Sequence, residues 1–231
     1  MCRTPHPPEL NSECASVSTE DKNTDFDCSH EHPDDDMDGD LAPSVDTPPP
    51  SEIETLCGLC IDYVQRALGI PLDFSAETLP ILDHYLLLAR ESIAIRPELS
   101  LLITEAVGAY FGELVRRRLN GHWLIPNADV HNWRICARTV FLSLNPIGVV
   151  CEALAQRDEH EGPSGQLLLA PEDRASVAQR LARVPEVPSG QYYLLSTRLE
   201  AIDIAVETLR LAMEQGGQAA LEFELQDYEF T

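Results

Sequence analysis

The chain of 231 residues carries 39 acidic side chains against 16 basic ones, a formal net charge of −23, with 44% hydrophobic residues. A field of that sign repels phosphate backbones and anionic headgroups, so nucleic acid and membrane surfaces are excluded as expected partners. Cations and basic proteins are the partners it attracts.

Composition breaks sharply near residue 50. Residues 1–50 hold 13 acidic side chains, eight prolines and only Arg3 and Lys22 as basic groups. Such a segment buries too little apolar surface to offset its ordering entropy, so an unstructured acidic arm is expected there. Residues 51–231 contain 14 arginines, 26 acidic residues and no lysine, and their length suits one folded domain. Met1 to Cys14 lacks the apolar run of a secretory signal. Thr139 to Cys151, the longest uncharged apolar-looking run, is too short to cross a bilayer. Seven scattered cysteines read as reduced thiols rather than a disulfide framework, which points to the cytoplasm.

The elements follow in chain order. Ser51-Glu52-Ile53-Glu54 reads as a capping box opening a helix. Ile53, Leu56, Cys57, Cys60, Val64 and Leu68 make its inner stripe, and Gly69 ends it. A second helix starts at Ser75, with Leu79, Leu82, Leu86 and Ala89 inward. Pro97 opens a third, striped by Leu99, Leu102, Ile103, Ala106, Val107, Tyr110, Phe111 and Leu114 and stopped by Asn120-Gly121. Its other side carries Leu101, Thr104, Gly108 and Gly112, small residues that predict a backbone pressed against a neighbour. Strands are expected at His122–Ile125 and Trp133–Leu144. Asn145-Pro146 then opens a short helix to Ala155, and Asp158–Gly165 is a polar loop. Gln166–Leu169 reads as a short strand. Pro171 opens a helix with Val177, Leu181 and Val184 inward. A long helix from about Gln191 buries Leu195, Leu199, Ile202, Val206, Leu209 and Met213 and stops at Gly216-Gly217. Alternation over Ala219–Leu225 predicts a half-buried strand.

Cys57-Gly58-Leu59-Cys60 has the spacing of a redox or zinc pair. It sits on the first helix's apolar stripe, with no second pair to complete a site, so core cysteine is the favoured reading. Glu113 lies at the edge of the third helix's stripe among apolar residues. A carboxylate so placed can act as a general acid or base, and with His122 and His131 it makes a candidate catalytic or metal set. Arg117, one turn on, offers the competing account of an ion pair. Cys136 or Cys151 with His84 or His131 is the background alternative for a Cys–His pair. Arg116-Arg117-Arg118 complements the helix dipole without calling for nucleic acid. In the arm, Cys28, His30 and His32, running into Asp34-Asp35-Asp36, form a candidate weak metal site.

Gly108-Ala109-Tyr110-Phe111-Gly112-Glu113, Gly121-His122-Trp123 and Leu144-Asn145-Pro146-Ile147-Gly148 together resemble a block found in bacterial domains of unknown function. The resemblance extends through Tyr192-Tyr193 to Leu199-Glu200. It implies a bacterial α+β domain whose glycines and tryptophans are architectural, and it carries no catalytic residue.

The expected fold is a single α+β domain over 51–231, about six helices around a small, mostly antiparallel sheet, behind a disordered arm at 1–50. The expected function is a non-enzymatic protein-binding module, an adaptor or immunity-like inhibitor with a protein partner of basic character and no cofactor. The alternatives are a small hydrolase or metal-dependent enzyme built on Glu113 with His122 or His131, and a structural homo-oligomer joined through the Gly108/Gly112 face.

Overall fold

A computed structural model describes residues 48–158, 160–185 and 188–229. Cys28, His30 and His32, and with them the expected metal site of the arm, lie outside the described residues. Eight α-helices and a four-stranded antiparallel sheet form among the described residues, so the fold is helix-rich α+β. Six of the helices are those expected: α1 (Ser51–Leu68), α2 (Leu79–Ile95), α3 (Leu99–Arg118), α4 (Pro146–Ala155), α5 (Arg174–Leu181) and α7 (Leu195–Gln215). The two others, α6 (Ser189–Tyr192) and α8 (Leu225–Tyr228), are single turns too short to show a hydrophobic period.

Helix α3 is the axis. Ile103, Ala106, Val107, Tyr110, Phe111 and Leu114 are buried on the inner stripe, α1 packs along one side and α4 along another. The two glycines make that second contact possible. A Cβ on Gly108 would lie 3.0 Å from Ile147 Cα, and one on Gly112 would lie 2.8 Å from Pro146 Cγ and as close to the Trp123 ring. The Gly108/Gly112 face is therefore filled from within the chain by α4 and Trp123, and it is not the surface that joins copies. Leu102, expected on the inner stripe, is 42% exposed, and Leu101 63%. Pro97 sits in the turn ahead of α3, where its carbonyl accepts the Ser100 N–H at 3.0 Å.

Helix α1 begins at Ser51, but Pro50 is its N-cap and no side chain caps it, so the expected box does not form. Its Ile53, Cys57, Cys60 and Val64 are buried, and Gly69 at φ 71° closes it by donating its N–H to Gln65 O at 2.9 Å. The N-terminus of α7 is capped from afar. Asp83 of α2 accepts the backbone N–H of Leu195 at 2.6 Å, the Ser196 N–H at 3.2 Å and the Ser196 hydroxyl at 2.6 Å. A carboxylate there satisfies orphan donors and meets the positive end of the helix dipole. In the other direction, α5 ends at Leu181, and Val184, expected inward, is 41% exposed.

The sheet runs β1 (His122–Leu124), β2 (Arg134–Cys136), β3 (Leu142–Leu144) and β4 (Leu168–Leu169) in that order. Trp123 pairs with Ile135, Cys136 with Ser143, and Ser143 with Leu168. The stretch Trp133–Leu144, expected as one strand, folds back on itself at 137–141. Ala137 N–H donates to Leu142 O at 2.9 Å, and Tyr228 of α8 sits over the bend. Its hydroxyl lies 2.8 Å from Ala137 O, 3.0 Å from Val140 O and 3.2 Å from Leu142 N, and its ring stacks on Phe141.

No strand forms over Ala219–Leu225. One backbone bond joins it to the bend, Phe223 N–H to Arg138 O at 2.8 Å. A capping box between Glu224 and Asp227 then turns the chain into α8. Phe223 and Leu225 are half-buried but Leu221 is 48% exposed, so only the end of the expected face turns inward, and a helix start replaces the ladder. Among the described residues no helix is long and apolar enough to cross a membrane.

Candidate functional site

The C-terminal half of α3 carries a closed polar node. Glu113 is 1% exposed and accepts four bonds: Arg116 Nε at 2.8 Å and Nη2 at 3.0 Å, Arg117 Nε at 2.8 Å, and Trp123 Nε1 at 3.1 Å. Burial alone would raise its pKa; the donors from Arg116, Arg117 and Trp123 outweigh burial and hold it below the usual 4.5. Arg116 is itself buried, and Arg117 lies 4.0 Å over the Phe74 ring, which stacks on Tyr110. The expected ion pair with Arg117 is present, and Arg116 and Trp123 join it. A carboxylate this saturated has no lone pair aimed at a substrate. It fastens the end of α3 to β1.

The histidines expected to share the Glu113 site have other partners. His122 Nε2 lies 3.8 Å from Glu224 Oε2 and makes no hydrogen bond. His131 is 53% exposed at its side chain and holds Asp129 at 2.8 Å across a short turn. Among the described residues no group of three His, Cys, Asp or Glu side chains is placed to hold a metal ion. Arg118, the last of the basic cluster, makes a bidentate pair with Asp203 at 2.6 and 2.9 Å.

Burial accounts for the cysteines. It pushes the Cys57 thiol up to about 12, with Glu113 adding to the shift, and Cys60 is raised too. Cys136 is pushed up to about 12 by the same cause. These thiols stay protonated and pack as small apolar groups.

At the other end of α3 the arrangement is open. A cavity of about 420 Å³ lies between the C-terminal end of α2, the N-terminal end of α3, the C-terminal end of α4 and the loop after it. Arg90, Ser100, Thr104, Cys151 and His160 bring polar atoms to its wall. Ile93, Ala94, Leu154 and Ala155 supply the apolar part. The loop is held on α4 by Glu152, a buried carboxylate that accepts Gly165 N–H at 2.7 Å and pairs with Arg198. Gly148 leaves room for it, since a Cβ there would lie 2.7 Å from Gly165 N. Within the loop, His160 Nδ1 accepts Gly162 N–H at 3.0 Å, while its Nε2 is buried with no partner. Cys151 and His160 both flank Gly162. Burial, with Glu152 second, pushes the Cys151 thiol up to about 11, which leaves the pair without a thiolate at neutral pH.

Sequence reading paired Cys151 with His84 or His131, placed Thr104 on the close-packed face of the third helix, and left Arg90 and His160 unmarked. One signal pointed here: Glu152 inside the apolar run of α4 is a carboxylate that must find donors, and the loop that supplies them carries His160 past the cavity. Ile95 is 81% exposed at the end of α2, and Leu101 and Leu102 are exposed in the first turn of α3. No protein-family model, no curated protein and no solved structure matches this chain.

Proposed function

We propose that the chain is a non-enzymatic protein-binding module, an adaptor or inhibitor, that docks a basic partner on the corner between α2 and α3. The observation that carries this reading is the outer face of α3. Glu98, Leu101, Leu102 and Glu105 recur at three- and four-residue spacing, so two exposed leucines lie between two carboxylates on one side of the helix. Ile95, exposed at the last position of α2, is a further apolar side chain at the α2–α3 corner. Apolar anchors flanked by carboxylates along the helix suit a partner that offers apolar pockets beside lysine or arginine. The 26 acidic residues after position 50 and the 13 before it add a long-range pull of the same sign. Cytoplasmic location and the resemblance to bacterial domains of unknown function belong to the same proposal.

A photo-crosslinking side chain at Leu101 of the full chain tests it. One basic protein should be captured repeatedly, and capture should fall at least tenfold with Ile95→Asp and weaken in about 1 M salt, where the screening length is about 3 Å. Capture that is indifferent to both would remove the reading.

A further inference from the structure

We propose that the outer face of α2 pairs with the same face of a second copy of this chain, antiparallel about a two-fold axis between Leu87 and Leu88. At about 100° of turn per residue, Pro80, His84, Leu87, Leu88 and Glu91 fall on one side of the helix, and all five are exposed. Leu82, Tyr85, Leu86 and Ala89 take the opposite side into the core. Pro80, His84 and Glu91 run along the middle of the outer face. Leu87, 46% exposed, and Leu88, 40% exposed, stand on its two flanks.

His84 and Glu91 are two turns apart, about 10 Å along the axis, too far to meet within one helix. Neither has a side-chain partner among the described residues. Leu87 and Leu88 sit midway between them. A two-fold axis at that midpoint, perpendicular to the helix, sets His84 of each copy against Glu91 of the other, twice over. The same axis brings Leu87 to Leu87 on one flank and Leu88 to Leu88 on the other. An isologous interface demands this self-complementarity. The imidazole N–H donates to the carboxylate whether or not the ring is charged. Net charge limits where two copies can meet, since each carries −23. The exposed charges of α2 and its C-cap are Arg90, Glu91 and Arg96, because Asp83 is buried against the start of α7. The long helices α1 and α7 are both net acidic. The pairing ends at Pro80 and Ile95, at the edge of the corner already described, and does not use Leu101 or Leu102. One helix face is small beside a standard interface, so the expected dimer is weak.

Sedimentation equilibrium of the full chain tests this, from about 1 μM to about 1 mM in about 0.15 M salt. The mass should rise from the monomer's 25.6 kDa towards twice that value. Leu88→Asp should weaken association at least tenfold. His84→Glu sets like charges together at two places and should weaken it to a similar degree. Adding Glu91→His to that variant restores the pair in reverse and should return association to within a few-fold of the parent. Ile70→Asp, at an exposed position beyond α1, should leave association unchanged. All the substituted side chains are exposed, so each variant should fold, which a thermal melt checks. A full chain that stays monomeric throughout overturns the proposal. So does a Leu88→Asp variant that associates like the parent, a double exchange as weak as His84→Glu alone, or an equal loss with Ile70→Asp. The chain associates here without any other protein, so the outcome is independent of capture at Leu101.

Discussion

The two ends of α3 are built on opposite terms. At the C-terminal end the charged groups of the helix are paired: Glu113 takes four donors, Arg116 is buried against it, and Arg118 holds Asp203. At the N-terminal end Arg90, Ser100 and Thr104 line open space, and Leu101, Leu102 and Ile95 meet solvent. Saturated polar groups stabilise a fold; unsaturated ones beside a cavity are left for something else to satisfy. Substitutions at the first end should therefore change stability, and those at the second should change binding.

The sharpest way to break that contrast is Glu113→Ala. It strands the buried Arg116 and should cost about 3–5 kcal/mol, read as a lower midpoint in urea unfolding. The pH profile adds a sign. The folded-state pKa of Glu113 lies below 4.5, so its contribution is present above pH 4.5 and is lost as pH falls through the folded value. Glu113→Gln should flatten the acid limb of the stability curve relative to the parent.

A smaller effect is expected one residue earlier on α3. Gly112→Ala gains helix propensity of about 1 kcal/mol but drives a methyl against Pro146 and the Trp123 ring, for a net loss of about 1–2 kcal/mol. Smallest of all are Arg90→Gln and Leu101→Asp at the open end, each within about 0.5 kcal/mol of the parent in the same unfolding experiment. A loss at Arg90 or Leu101 comparable to that at Glu113 would erase the distinction between the two ends.

Sequence reading found what local chemistry dictates. The stripe of α3, the glycines at 108 and 112, the start of α4 at Asn145-Pro146 and the end of α1 at Gly69 all follow from spacing and backbone freedom. It was misled where a distant group decides. Trp133–Leu144 has strand composition throughout, yet it folds back at 137–141, where a tyrosine some ninety positions later bonds to the carbonyls of the bend. Ala219–Leu225 alternates like a strand, yet the Glu224–Asp227 box ends it. The Glu113 node was half legible. Arg117 at four residues' distance is a local rule, whereas Arg116 and Trp123 join the node only because the chain turns back from α3 into β1. The cavity was not legible, since its walls come from four segments with no shared pattern.

The bond from Tyr228 to the bend at 137–141 also sets an order of events during synthesis. The carbonyls of Ala137 and Val140 leave the ribosome long before the phenol that will satisfy them has been translated. Until then the hairpin has its own ladder but no clasp, and its Phe141 ring is uncovered. Contacts of such sequence separation form late and slowly. The cover that α8 gives to the bend therefore depends on the most distant of these contacts in the chain.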